Sequence, residues 1–232
     1  MMQVTWATDQ GSPARPNEDF VATALGAAVV LDGMSIPMDR ETGCVHGRPW
    51  YVGQLATRLL AGLLDHRQGP ADALAQAIAE TADAHGGHCD LSHPWTPATT
   101  VVALRARDQV ADYLVLSDST LLLDQGGQVT ALTAGGSGFA AADPRVAGRA
   151  LTGSTPLRDL RRAALLTDGA TRLADRFGRS DWPSTLATLA ERGPAALIEQ
   201  VREAERSDPD GRRWPRNKRH DDATAAFCEF PS

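Results

Sequence analysis

Cysteine is scarce in this chain: there are three, Cys44, Cys89 and Cys228, odd in number and far apart among 232 residues. That excludes a disulfide framework and fits reduced thiols in a cytosol. No uninterrupted apolar run approaches the ~20 residues a membrane helix needs. The opening MMQVTWATDQGS has neither the basic nor the apolar segment of a secretory signal. Basic residues are not in excess either, and the net charge of −6 argues against a general nucleic-acid binder. A cytoplasmic protein is expected, without nucleic acid or membrane as partner.

What the chain does have is an ordinary globular balance, with 42% apolar and 22% charged residues, which excludes wholesale disorder. VTWAT alternates as a strand does. DFVATALGAAVVLDGM reads as a hairpin turning near Gly26. A loop, SIPMDRETGCVHGRP, precedes WYVGQLATRLLAGLLDH, whose Val52, Leu55, Leu59, Leu60, Leu63 and Leu64 form a helical stripe. Pro70 suits the start of a second helix, ADALAQAIAETADAH. After a His-, Gly- and Pro-rich loop come the strands TTVVALRA, VADYLVLSDS with TLLLD, and QVTAL after the turn DQGG. Residues 134–160 have weak periodicity and read as a surface excursion. AALLTDGA reads as a short buried strand, followed by helices at WPSTLATLAERG and PAALIEQVREAER, a basic loop, and a last strand ATAAFCEF. The pattern predicts an α+β fold with antiparallel sheets packed together under helices, as one domain over 1–232.

The acids fall where chemistry is expected. VVLDG, LVLSDS and LLTDG each run apolar residues into an aspartate (Asp32, Asp118, Asp168), while Asp221 and Asp222 lead into the last strand. Unpaired carboxylates gathered at the rim of a core would be costly, so a cluster implies a neutralising cation. All-oxygen ligands favour hard ions such as Mg²⁺ or Mn²⁺. A single Asp-Gly is usually only a turn. Glycine after Asp32 and Asp168 is expected to permit a tight turn and to let a backbone carbonyl approach the metal.

In order, RPNED (15–19), LDGM (31–34), ATT (98–100), LSDS (116–119), LTDG (166–169) and HDDAT (220–224) resemble the type 2C metal-dependent Ser/Thr phosphatases, in a divergent, actinobacterial-like bacterial branch. The resemblance implies a four-layer α-β-β-α sandwich of two antiparallel sheets, with a binuclear Mn²⁺/Mg²⁺ site at one edge. By the same resemblance Asp32 would bridge two metals, the Gly33 carbonyl would bind one, and Asp168 and Asp221 would complete its ligands. Glu18 would lie near the second metal with Asp19 as its neighbour, and Asp118 would hold a weaker third ion. Asp222 stands where the family usually has Asn, and Arg15 is the candidate phosphate clamp. The implied reaction is hydrolysis of phosphoserine or phosphothreonine monoesters by a metal-activated water. Its partner would be a phosphorylated protein, and the enzyme is expected to act as a monomer.

Several positions depart from the family pattern. Ser35-Ile36-Pro37 replaces the usual Gly-Gly, Ser117 replaces a glycine, and Arg15 lies one residue nearer Asp19 than its counterpart. These changes bear on substrate class and leave two alternatives: a phosphatase of a small phosphorylated metabolite, or a non-catalytic phosphatase-like module. Cys44 and His46, with His85, His88, Cys89 and His93, raise the question of zinc. Their spacing matches no standard structural site, so packed or exposed loop histidines are expected, and the segment holding Cys44 and His46 could shape a substrate pocket. The basic run ending at Asp221 is either a solvated loop or a positive lip for phosphorylated substrate, formed by Arg216, Lys218 and Arg219.

Overall fold

The computed structural model describes residues 2–37, 40–136 and 138–230; positions 38, 39 and 137 of the expected loops and the terminal residues 1, 231 and 232 lie outside them. The described residues form ten strands and five α-helices, and all of them but β8 and α3 follow the order expected from the apolar pattern. β1 (Gln3–Asp9), β2 (Asp19–Ala24) and β3 (Ala27–Asp32) precede α1 (Arg48–Leu64) and α2 (Pro70–Ala84). Then come β4 (Val101–Arg107), β5 (Val110–Leu116), β6 (Thr120–Gln125), β7 (Gln128–Leu132) and β8 (Leu151–Pro156). β9 (Leu160–Leu166), α3 (Asp168–Asp175), α4 (Trp182–Arg192), α5 (Pro194–Ser207) and β10 (Ala223–Glu229) complete the chain.

The strands form two five-stranded antiparallel sheets, β1-β10-β9-β6-β7 and β2-β3-β4-β5-β8. The inner strands β3, β4, β5, β6, β9 and β10 are buried on both faces, which is why their sequences run apolar rather than alternating. In β3, Ala27, Val29 and Leu31 meet the α1–α2 layer, while Ala28 and Val30 point into the space between the sheets. In β10, Ala226 and Cys228 face that same middle layer, and Ala225 and Phe227 lie against α3, α4 and α5. Three apolar layers therefore separate helices, sheet, sheet and helices, as the expected sandwich requires. Each large aliphatic side chain sealed in these layers contributes about 1.5–3 kcal/mol. No described helix is long and apolar enough to cross a membrane.

Buried Arg105 of β4 finishes α1. Its guanidinium donates to the carbonyls of Leu63 (3.2 Å) and Gln68 (2.7 Å) and pairs with Asp112 of β5. A cation on the last carbonyls of a helix satisfies acceptors that have no partner within the helix.

Two expectations are corrected. Residues 134–160 are not merely an excursion: they contain a 3-10 helix, Pro144–Arg149, and β8, which pairs with β5 along the sheet edge. β8 reads LTGSTP and is mostly exposed, so it carries no apolar signal. LTDGA is not only the end of a strand, because α3 starts at Asp168. The segment 117–119 between β5 and β6 carries the chain from one sheet to the other.

Candidate functional site

Register brings the acids together. In the β2–β3 hairpin Asp19 pairs with Asp32, and the Gly33 amide donates to the Glu18 carbonyl at 3.0 Å. In the other sheet β9 runs antiparallel to β10, so Asp168, just past β9, lies beside Asp221 and Asp222, just before β10. The Thr167 hydroxyl joins the sheets: it donates to Asp19 Oδ2 at 3.0 Å and accepts from the Thr224 amide at 2.9 Å. It therefore does not cap α3, whose N-terminus has no side-chain cap.

Mutual proximity shows in the protonation behaviour of these carboxyls. Burial, then the charges of Asp19, Asp168 and Asp221, push Asp32 well above the ordinary carboxylate range. Asp168 is raised by burial and by Asp221, with Asp118 adding to it and Arg172 opposing. Asp19 is pushed up to about 8, mainly by burial, with the charges of Asp222 and Asp168 contributing. Its Oδ1 is buried with no hydrogen-bond partner among the described residues. Crowded carboxyls with an orphaned oxygen are what a hard divalent cation relieves, and the donor set is all oxygen, so these residues fit Mn²⁺ or Mg²⁺. Asp118 is exposed, at the sheet-crossing segment behind Ser117, whose φ of 71° is a conformation glycine adopts more readily.

The two glycines serve a purpose other than the expected turns. A Cβ at Gly169 would lie 1.9 Å from the Asp222 carbonyl oxygen, and one at Gly33 would lie 2.6 Å from that of Glu18. Neither has a positive φ. Glycine at both positions lets neighbouring backbones come into contact at the site.

Cations are interleaved with the acids. Arg48, at the start of α1, holds Glu18 Oε1 through Nε at 2.7 Å, and Ser35 donates to Oε2 at 3.1 Å. Lys218 Nζ bonds both Asp221 Oδ1 and Ser35 Oγ, while Arg172 Nη2 takes Asp221 Oδ2 at 2.9 Å. Beneath them Glu205, fully buried, receives Arg172 (2.5 Å), Arg202 (2.9 Å) and His220 (2.6 Å). Arg202 also binds Asp9 and the Asp221 carbonyl, tying β1 to the segment before β10. Sequence reasoning missed Arg48, Arg172, Arg202 and Glu205. Only Arg172 carried a local signal, four residues after Asp168 on one helical face.

Asp222 is a fastener. Its Oδ1 accepts from the Gly11 amide and its Oδ2 from the Glu18 amide, both at 2.7 Å. An asparagine offers one acceptor oxygen, so only a carboxylate satisfies both donors.

The basic lip divides. Arg216 is corrected to a structural residue: its buried guanidinium binds Asp208 and the carbonyls of Trp214 and Glu205. Lys218 turns into the acids, and only Arg219 stays exposed at the rim. A cleft of about 370 Å³ is lined by Arg15, Glu18, Ser35, Lys218, Arg219 and Asp221, among others. A second, of about 200 Å³, lies on the other side of Lys218 and Asp221, against Asp168 and Arg172. Neither lining includes Cys44 or His46, so the expectation that they shape this pocket gains nothing.

The expectation of scattered loop histidines is also corrected. Cys44, His46, His85 and Cys89 come together with their ligand atoms all within 4.8 Å of one another, while His88 and His93 stay out of the group. The signal was masked because the pairs lie far apart in sequence.

No family model matches the chain, and no curated protein sequence does. Solved structures do. A bacterial serine phosphatase bearing an R161A mutation aligns over 100% of this chain and 99% of its own, at 17% identity and a TM-score of 0.67. The catalytic domain of the serine/threonine protein phosphatase PstP, in complex with two manganese ions, aligns over 98% and 97%, at 16% identity and a TM-score of 0.65. Serine/threonine phosphatase Stp1 from Staphylococcus aureus aligns over 100% and 96%, at 13% identity and a TM-score of 0.66. From end to end, this chain has the fold of the type 2C serine/threonine phosphatases.

Proposed function

We propose that the chain, acting as one domain, is a metal-dependent phosphoric monoester hydrolase for phosphoserine and phosphothreonine. The observation that supports this most is the convergence of Asp32, Asp168 and Asp221 from ends of both sheets, with Asp32 and Asp168 pushed toward protonation. Asp32, Asp168, Asp221 and the Gly33 carbonyl would hold Mn²⁺ or Mg²⁺, with Glu18 toward a second ion and Asp118 toward a weaker third. Bound there, the ions would supply Lewis acidity and a water of lowered pKa for attack on phosphorus.

The chain's own groups do the rest. Asp19, fixed by Thr167, adds a carboxyl beside Asp32 that can hold a proton. Arg15 lines the larger cleft, and its guanidinium has no hydrogen-bonded or ionic partner among the described residues, which leaves both arms for phosphate oxygens. Lys218 lines the same cleft, and with Asp221 engaged by a metal its ammonium would be free to face substrate.

Hydrolysis of p-nitrophenyl phosphate with Mn²⁺, Mg²⁺ or EDTA tests the reading, with Asp32→Ala alongside. Turnover should require metal and vanish in the variant; metal-independent turnover would sink it. Comparing phosphopeptides with small phosphoesters then separates the two substrate classes. A second reading, a non-catalytic module, is favoured by one observation: Lys218 and Arg172 already occupy both oxygens of Asp221. It predicts a folded chain with no turnover under any metal.

A further inference from the structure

Outside the aspartate rim, two loops meet over the start of α1. Cys44 and His46 lie in the loop entering that helix, His85 ends α2, and Cys89 follows four residues on. The two sulfurs are 3.4 Å apart, Cys89 Sγ is 3.4 Å from His46 Nδ1, and Cys44 Sγ is 3.9 Å from the same nitrogen. A disulfide needs about 2.05 Å, and both thiols are free. Tetrahedral zinc, with bonds of about 2.3 Å to sulfur and about 2.0 Å to nitrogen, spaces its ligands about 3.5–3.8 Å apart. The observed separations lie close to that range.

His85 is oriented as a ligand. It is buried, and its Nδ1 lies 2.8 Å from the Thr81 carbonyl, which can only accept, so Nδ1 carries the proton. Nε2 is then a bare lone pair, and it is a buried atom without any hydrogen-bond partner among the described residues. A ring nitrogen fixed by a backbone carbonyl with its opposite nitrogen free is the usual support of a metal-bound histidine. The Val45 amide donates to Cys89 Sγ at 3.4 Å, a contact that a metal-bound sulfur would keep. His46 stacks on Trp50 at 4.1 Å, and His85 meets the same ring edge-on at 4.8 Å, which holds both imidazoles in place. The loops are locked to each other as well: the Asp90 amide donates to the Gly43 carbonyl at 2.8 Å.

We propose that Cys44, His46, His85 and Cys89 bind a structural Zn²⁺ ion that staples the loop before α1 to the end of α2. Two thiolates and two neutral imidazoles neutralise the ion, and four protein ligands leave no open position for catalysis. The staple sets where α1 begins. That helix has no side-chain cap at Gly47, and Arg48, two residues after His46, is the group that holds Glu18 at the aspartate rim. The zinc site thus supports the rim at a distance, while its existence does not depend on the proposed hydrolysis.

The test uses the full chain, purified without chelator. Elemental analysis should find about one zinc per chain, released when a mercurial blocks the thiols. The Co²⁺-substituted protein should display thiolate-to-cobalt charge transfer and intense tetrahedral bands, which an all-oxygen site cannot give. Cys44→Ser with Cys89→Ser should lower zinc content by at least about tenfold, whereas Asp32→Ala should leave it unchanged. A folded wild-type chain that stays zinc-poor after incubation with Zn²⁺ and gives no charge-transfer band with Co²⁺ would overturn the proposal. So would a Cys44–Cys89 disulfide in its place, detected by mass. The cobalt spectrum is read on the wild-type chain, so it decides even if the double variant fails to fold.

Discussion

Two clusters of ligand-type side chains, the aspartate rim and the thiol–imidazole group before α1, are opposite in chemical character. The aspartate rim is hard, crowded and negatively charged: its carboxyls raise one another's pKa, and three cationic side chains are recruited among them. The thiol–imidazole cluster is soft, needs no countercharge when protonated, and is held by aromatic stacking and a backbone carbonyl. The difference teaches what each asks of a metal. The rim is stable only with some cation, so protein cations can stand in and an incoming ion must displace them. The soft cluster has no such competitor, and its ligands are preset.

The sharpest way to break the comparison is to remove one side at a time. Asp32→Asn should abolish metal-dependent phosphatase turnover, by on the order of a thousandfold or more, with zinc content untouched by elemental analysis. Loss of zinc in that variant would mean that the two clusters are not separate. Asp222→Asn should cost about 1 kcal/mol in denaturant unfolding, because one of two half-buried amides loses its acceptor. An unchanged midpoint would refute the fastening role.

Acidity sharpens the contrast further. Asp19, Asp32 and Asp168 have folded pKa values above those of the unfolded chain. Between about pH 4 and about pH 8, the window set by Asp19, the metal-free folded state holds more protons than the unfolded state. Its stability should therefore fall as pH rises through that window. The Tm gained on adding Mn²⁺ should grow over the same range, and a gain that is flat with pH would contradict the crowding. The smallest expected effect is at Lys218. Lys218→Ala removes the competitor on Asp221 and should tighten Mn²⁺ binding about three- to tenfold by calorimetry. Weaker binding would mean that Lys218 supports the site rather than contests it.

How much of this was legible follows from the same contrast. Asp32, Asp118, Asp168, Asp221 and Asp222 end or lead into apolar strands, so an apolar run points at each, whereas Glu18 and Asp19 precede the half-exposed β2 and were legible only through the family resemblance; the fold's layers follow from those runs and the helical stripes of α1, α2, α4 and α5. β8 escaped because an exposed edge strand has no apolar face to read, and α3 because Asp-Gly resembles a turn. The partners of the acids were hidden for another reason: Arg48, Arg202 and Glu205 are charged residues on helices α1 and α5, where the sequence reads them as solvent-facing, and only the packing turns them inward. The soft cluster joins two ligand pairs on separate loops, at Cys44/His46 and His85/Cys89, and neither pair is informative alone.

Among the described residues β1 pairs only with β10, at the far end of the sequence from it, and β10 sits between β1 and β9. During synthesis, then, the first strand waits without a neighbour until residues 223–229 have left the ribosome. Asp221 and Asp222 arrive in the same closing step, since they immediately precede that strand. A chain that stops short of these residues consequently has a split sheet and an incomplete rim together, so any activity at the rim has to wait until residues 221–229 are in place.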